Sequence, residues 1–463
     1  MNSGSPIGSG PLGDGPVRIA GGGPTAALLA ILLHARGHAK IDLFESRPDP
    51  RLRGAQSGRS INLALADRGI HALKTAGLFE RLGASLLPMR GRCIHLDGGT
   101  AFQPYGGRPN EVIYSVSRLK LNQGLIDIAA NLEGIGLHFE HRLDAVDFES
   151  GTASIHDLRA GRRLEVPMRP LLACDGAGST MRRRMVEAGI IAVQEVDLEH
   201  GYKELSVPPA RNGDSAFAVD ALHIWPRGNF MLIALPNDDG SFTATLFLPK
   251  QGCPSFESLR DAPAIEAFMS HNFPDALAAM PNCVAEFKDH PVGFLGSVSA
   301  APWHASGQAL LIGDAVHAMV PFHGQGMNCC FEDCIEFDRC AARHSSWQEA
   351  FSEFGAARKP NTDAITAMAA ENYLEMRAHV ADPKFQLQQA LSLELERRFP
   401  HRFIPRYSMV TFHHEIPYRT ARERGAVQAA ILDDLTAGAV KSMAEIDFER
   451  AEREITQRLE PLG

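Results

Sequence analysis

At 463 residues the chain is longer than one simple core usually organises, so two domains, or one domain carrying a large insertion, are expected. It is 44% hydrophobic and 22% charged with a formal net charge of -9, which offers no basic footprint for nucleic acid or an anionic membrane. The eight cysteines (93, 174, 253, 283, 329, 330, 334 and 340) form no paired CxxC pattern, so they read as reduced thiols of a cytoplasmic protein, without a metal site.

Residues 1–15 are rich in Gly, Ser and Pro, carry no Lys or Arg, and read as a flexible leader that matches no secretory or mitochondrial address. The early apolar run from Ala26 to Leu33 is broken by His34 and is too short for a membrane span, so no membrane anchor is expected. From Val17 the string VRIAGGGPTAALLAILLHARGHAKIDLFE reads as a buried strand, a glycine turn, an apolar helix and a second strand ending at Glu45. Gly21 permits the tight turn, and Gly23 lets the backbone approach a pyrophosphate seated on the helix N-terminus. Glu45 follows roughly 20 residues on, where a carboxylate accepts from a ribose hydroxyl. Ala26 replaces the third glycine of GxGxxG, a tolerated variant beside Thr25. A glycine turn alone is weak evidence, but the strand context and Glu45 favour a dinucleotide.

A second signal is LLACDGAGSTMR, residues 171–182, where an apolar strand delivers Asp175-Gly176 into a turn before a helix. An ordinary hairpin or helix cap uses the same pair. The third is LLIGDAVHAMVPFHGQGMN, residues 310–328. Its apolar strand, 309–312, ends in Gly313-Asp314, and Pro321 to Met327 form a glycine-flanked turn before Asn328 and an apparent helix. A carboxylate at a strand end can bind a ribityl hydroxyl. Free amides at a helix start can hold the polar edge of a flavin, and their partial positive charge favours the anionic reduced ring. Between the second and third signals, FMLIALP and TATLFLP read as strands; beyond about residue 345 the chain reads as helix-rich, and Ser442 to Leu459 as a solvated terminal helix.

These three motifs in this order, GxGxx(G/A), DGxxSxxR and GDAxHxxxPxxGQGxN, resemble those of the aromatic-hydroxylating flavoprotein monooxygenases, over nearly the whole chain. The resemblance implies an α/β fold: a Rossmann-like FAD-binding domain of the p-hydroxybenzoate hydroxylase-like type, interrupted by a β-sheet substrate domain and followed by a helical C-terminal region. The implied boundaries are 16–182 for the first part of the FAD domain, with a substrate-domain segment at about 75–105, then 183–298 for the substrate domain, 299–345 for the second FAD part and 346–463 for the helices. One dinucleotide fingerprint implies resident FAD, with NADPH or NADH visiting and O2 as co-substrate. The residues implied to hold FAD are Gly21, Gly23, Thr25, Ala26, Glu45, Arg59, Arg118, Asp175, Gly313, Asp314, Pro321, Gly324, Gln325, Gly326, Met327 and Asn328. Asn62 joins Arg59 near the expected interface of substrate and flavin, and Lys120 stands where a second arginine is expected.

Within this family, RSINLALADRG, MRGRCIHL, HGYKEL, ALHIWP, ENYLEM and RFIPRYSMVTF are similar to the kynurenine-hydroxylating branch. That branch implies conversion of L-kynurenine to 3-hydroxykynurenine through a flavin C4a-hydroperoxide. Hydroxylation of a related anthraniloyl or modified kynurenine substrate is the alternative, and a non-catalytic flavin-binding regulator a remote one. The implied carboxylate binders are Arg92 and Tyr105, assisted by Asn372; arginine suits the task because its fork can hold a carboxylate at two points. Phe322, His323, Met376 and Tyr407 are implied to line the ring pocket, with Glu375 close by. Taken singly, Arg92 beside Arg90 reads as a surface residue, and the ring-pocket residues as core. A flavin-dependent halogenase would carry a WxWxIP element that Trp225, Trp303 and Trp347 cannot form. Cys329, Cys330 and Cys334 read as small core residues behind the flavin loop. The partner expected is a small aromatic amino acid and not nucleic acid; a homodimer is compatible with the sequence.

Overall fold

The structure is a computed structural model that describes residues 12–13, 15–52, 62–96, 98–108, 110–209, 215–379, 382–438 and 440–462. Its organising element is a six-stranded sheet in the order His304–Ala305, Ala309–Leu311, Leu171–Ala173, Val17–Ala20, Ile41–Glu45 and Ile135–Phe139. Every pairing except the first is parallel. The strands Ala309–Leu311, Leu171–Ala173 and Val17–Ala20 are buried throughout without alternation, Arg18 included, because both faces of a parallel sheet are covered. The helix Pro24–Ala35 is buried from Ala26 to Leu33, between the sheet and the helices Arg118–Ala130 and Gly326–Arg343. The run measured above against a membrane span is therefore a core helix. Among the described residues no helix is long and apolar enough to cross a membrane.

A parallel sheet puts all its carboxyl ends on one edge, which is where such sheets bind ligands. Strand ends at Ala20, Glu45, Ala173 and Leu311 therefore bring the three separated sequence motifs together.

A second six-stranded sheet runs in the order His200–Val207, Phe242–Pro249, Met231–Pro236, Ala221–Pro226, Gly91–Leu96 and Gly99–Pro104. One face packs on the helices Ala262–Asn272, Pro274–Ala278 and Cys283–Asp289 through Trp225, Phe242, Phe268 and Phe273. The other face presents Ile94, Met231 and Phe247 towards Phe322 and Tyr373. Strand alternation sorts neighbouring residues such as Leu246 and Phe247 to opposite sides. Of the 75–105 segment, only Gly91–Leu96 and Gly99–Pro104 pair into this sheet. Leu87–Met89 joins Ile113–Ser117 and Asn62–Leu65 in a separate three-stranded sheet.

The helix Trp347–Leu374 continues into a π-helical turn, Glu375–His379, a form that recurs at functional sites. Among the described residues four helices of seven or more residues follow: Pro383–Arg398, Arg406–Phe412, Tyr418–Leu435 and Phe448–Arg458. The last is not fully solvated, since Ala451 and Ile455 are buried with Leu391, Leu395 and Ile431. At the segment read as a leader, Leu12 is buried against Ala341 and Ala350.

Candidate active site

The first strand end needs glycine: Gly21 has φ +108°, and a Cβ there would lie 2.2 Å from the Cys174 carbonyl oxygen. Beside it Gly22 donates its amide to Glu45 Oε2 at 2.7 Å, while the Arg47 amide and guanidinium donate to Oε1 at 2.8 and 2.9 Å. Burial disfavours the Glu45 charge, but Arg47 and these amides outweigh it and hold the carboxyl below its ordinary range. Glu45 therefore stays an acceptor at neutral pH.

The second motif acts locally as a helix cap. Asp175 Oδ2 accepts from the amides of Thr180 and Met181 at 2.8 and 3.1 Å, while Oδ1 is buried without a partner among the described residues and burial raises the carboxyl pKa.

The third motif rests on a buried charge network that the sequence reading missed. Asp333 accepts from the Gly313 amide at 3.2 Å, from His317 Nε2 at 2.5 Å and from Arg358 Nε at 2.7 Å. Arg358 and Arg68 both pair with Glu332, at 2.7 and 2.5 Å. The network fixes the turn at Gly313 (φ +66°), from which the short helix Asp314–His317 begins. Asn328 accepts from the Ala66 amide at 2.9 Å and donates to the carbonyls of Ala64 and Gly324 at 2.8 Å. It thus ties the glycine turn to the strand Asn62–Leu65. Gln325 Oε1 accepts from the Tyr418 hydroxyl at 2.8 Å. The helix Gly326–Arg343 starts here with no side-chain cap and no acid in its first turn, leaving its first amides for a ligand.

A cavity of about 380 Å³ opens at this point. Thr25, Arg118, Asp314 and the run Pro321 to Met327 line it together with Arg92, Tyr105, Met376 and Tyr407. Leu222, Ile233 and Phe247 close it from the second sheet. Arg92 is buried, with its guanidinium 4.8 Å over the Tyr407 ring and 5.7 Å over the Tyr105 ring. Its Nε has no partner among the described residues. Burial opposes its charge, but Tyr407, Tyr105 and Glu375 together hold its pKa above the ordinary value. His323 stacks on Tyr407 at 5.2 Å, and burial pushes its pKa down to about 3, so the ring is neutral. Phe322 stacks on Tyr373 at 4.0 Å.

Other expected site residues stand outside the cavity wall. Asn372 Nδ2 donates to the Phe322 carbonyl at 2.6 Å, so it supports the wall from behind, and Glu375 lies 4.0 Å from Arg406. Gly21, Gly23, Ala26, Glu45 and Asp175 are at the first and second motifs, and Gly313 and Asn328 belong to the third without lining the cavity. Lys120 points to Asp238 at 2.6 Å, while Arg118 and Asn62 line the cavity. Arg59 lies outside the described residues. Cys330 lines the cavity 3.7 Å from Asp314 Oδ1, and burial pushes the thiols of Cys329, Cys330 and Cys334 well above their ordinary range, so none is a thiolate. All eight cysteines are free.

The residues fit a flavin dinucleotide. The chain supplies an ionised acceptor at Glu45, the orphaned Asp175 Oδ1, the Asp314 carboxylate and the uncapped amides at Gly326 beside an apolar slot.

Comparison with known proteins agrees. The family model described as FAD binding domain matches residues 14–240 and 266–339. A kynurenine 3-monooxygenase of Xanthomonas campestris pv. campestris is 46% identical over 445 residues, which is 96% of this chain and 97% of that protein. One of Stenotrophomonas maltophilia is 46% identical over 442 residues, 95% and 96% of the two chains. Among solved structures, a tetrameric form of 2-methyl-3-hydroxypyridine-5-carboxylic acid oxygenase aligns with a TM-score of 0.63 at 19% identity, covering 82% of this chain and 97% of the other. Pseudomonas aeruginosa PqsL in complex with 2-aminobenzoylacetate aligns with the same TM-score at 18% identity, covering 78% and 96%.

Proposed function

The chain belongs to the kynurenine 3-monooxygenase family, and on that premise we propose that its cavity binds kynurenine by the amino-acid carboxylate and presents the ring to FAD for hydroxylation. It is a flavoprotein monooxygenase with FAD as cofactor, NADPH as reductant, O2 as oxidant and a small-molecule substrate. The observation that carries the site reading is Arg92: a buried cation lining the same cavity as the glycine turn, with one nitrogen unpartnered and no carboxylate of the described residues within ion-pair distance.

A buried guanidinium needs an anion, and a bidentate carboxylate is the geometry it prefers. Tyr105 and Tyr407, stacked on each other at 5.8 Å, both pack their rings beside the guanidinium and hold it in place. Phe247, Phe322, Leu222 and Met376 supply an apolar slot for a phenyl ring and exclude water from it. Neutral His323 adds ring surface without a second buried charge. FAD, when bound, supplies the redox chemistry that delivers one oxygen atom to the ring. The substrate's own amino group makes the adjacent ring carbon electron-rich, so the chain needs no strong base for this attack. Its part is to fix the ring, keep the slot dry and hold Asp314 and the Gly326 amides where the cofactor's polar atoms fall.

The test is the acceleration of NADPH oxidation by candidate substrates. L-kynurenine should stimulate the purified flavoprotein strongly, and 2-aminobenzoylacetate, an anthraniloyl compound without the amino-acid head, much less. Stronger stimulation by 2-aminobenzoylacetate would move the assignment to a non-amino-acid substrate.

A further inference from the structure

The region where the C-terminal helices meet the substrate-site wall holds a cluster that the hydroxylation does not use. Glu111, Glu396 and His413 each offer a ligating atom, and the three atoms lie within 4.8 Å of one another. Glu111 and Glu396 are 6% and 4% exposed. Both carboxylate oxygens of Glu396 and Nε2 of His413 are buried without a partner among the described residues. Glu111 accepts from the Arg108 amide at 3.0 Å, with the Arg108 side chain 3.9 Å away, and His413 Nδ1 bonds Glu415 at 2.8 Å.

We propose that Glu111, Glu396 and His413 form a binding site for a divalent cation of the Mn2+ or Zn2+ class. Two buried carboxylates facing one imidazole nitrogen are unfavourable without a cation, because like charges at short range repel and bare carboxylate oxygens forfeit hydration. A shared proton does not resolve the arrangement: it covers one oxygen and leaves the rest of the Glu396 carboxylate and His413 Nε2 bare. One cation satisfies all three. Mixed carboxylate and imidazole donors suit Zn2+ and Mn2+ better than Ca2+, which prefers oxygen alone. The Nδ1 contact of His413 with Glu415 is the outer partner that usually orients a ligating histidine. Bonds of about 2.0–2.2 Å ask the three donors to draw inward slightly. A surface pocket lined by Gly107, Arg108, Glu396 and Pro400 gives the ion a path from solvent.

The location gives such a site its consequence. Glu396 is on the helix Pro383–Arg398, Glu111 lies between Tyr105 and the strand Ile113–Ser117, and His413 caps the helix that carries Tyr407. One ion would fasten the C-terminal helices to both tyrosines that flank Arg92.

Chelator-treated holoenzyme, freed of chelator, is titrated with MnCl2 and separately with ZnCl2 by calorimetry, and its melting midpoint is read with and without each ion. One saturable ion per chain and a raised midpoint are expected. In Glu396→Gln and His413→Ala, each checked for full flavin content, that binding should weaken at least about tenfold. No saturable uptake by the wild type overturns the proposal. Uptake that both variants retain at full affinity also overturns it, by placing the ion elsewhere. If either variant loses flavin, Glu111→Gln replaces it under the same criteria.

Discussion

The guanidinium of Arg92 lies 4.8 Å over the ring of Tyr407, so the cation and the aromatic wall that would flank a substrate ring are one rigid unit. Stacking of this kind removes rotamer freedom before any ligand arrives, and a preorganised arginine discriminates more sharply than a mobile lysine. Arg92→Ala should weaken L-kynurenine binding by roughly 2 to 5 kcal/mol, the cost of deleting one partner of a buried charge pair. Flavin content should stay unchanged. The check is a titration of the flavin absorbance with L-kynurenine and with its decarboxylated analogue: the variant should lose its preference between the two. An affinity within twofold of wild type would remove Arg92 from the carboxylate site.

Asp314 opens the short helix after the strand Ala309–Leu311 and faces the cavity. Asp314→Ala should therefore release FAD. The purified variant is expected to carry a reduced ratio of flavin to protein and to recover activity with added FAD. Full flavin with lost substrate affinity would assign the carboxylate to substrate instead.

Asp333 is fully buried and accepts from Gly313, His317 and Arg358. Its removal takes away one of the two carboxylates that hold Arg358, leaving Glu332 as its sole ion-pair partner among the described residues, and frees the turn that positions Asp314. Asp333→Ala should cost about 3 to 5 kcal/mol of stability, as breaking a buried pair does. Urea denaturation of the holoenzyme measures the loss, and a change below about 1 kcal/mol, the range of exposed pairs, would mean that the network is replaceable.

Buried histidines set an acid limit, His38, His223 and His323 among the described residues. His38, stacked on Trp347, and His323 have pKa values pushed by burial from 6.5 to about 4 and about 3. The unfolded chain takes up protons that these sites refuse, so their contribution is complete above pH 6.5. It is lost as pH falls from 6.5 through about 4 for His38 and about 3 for His323. Denaturation midpoints recorded from pH 7 to pH 4.5 should fall with acidity, and less steeply in His38→Gln and His323→Gln. Parallel slopes in wild type and variants would assign the acid sensitivity to other groups.

The sequence made the cofactor side legible because its signals are local. A glycine turn, a carboxylate at a strand end and an uncapped helix start each lie within a few residues, as at Gly21, Asp314 and Gly326. The apolar strands were likewise legible one by one, while the Rossmann-like sheet they build was implied by the resemblance. Contacts across long separations were not legible. Asp333 meets Arg358 across 25 residues and Arg68 meets Glu332 across 264, and no periodicity links such partners. The same holds for Leu222 and Phe247, whose strings gave a resemblance and a strand but no sign of the cavity wall they build. Asn372 was expected among the carboxylate binders. The structure instead places its amide on the Phe322 carbonyl, a distinction between touching a ligand and supporting the residue that lines its slot, which sequence cannot draw.

The most direct measurement is the yield of hydroxylated product per NADPH oxidised when the purified flavoprotein turns over L-kynurenine in air, with products identified by chromatography and mass. One 3-hydroxykynurenine per NADPH is predicted, because a ring held by Arg92 in a dry slot beside the flavin captures the oxygen before it is lost. NADPH consumption that yields hydrogen peroxide alone would contradict the account, since kynurenine would then trigger the flavin without occupying the position of its substrate.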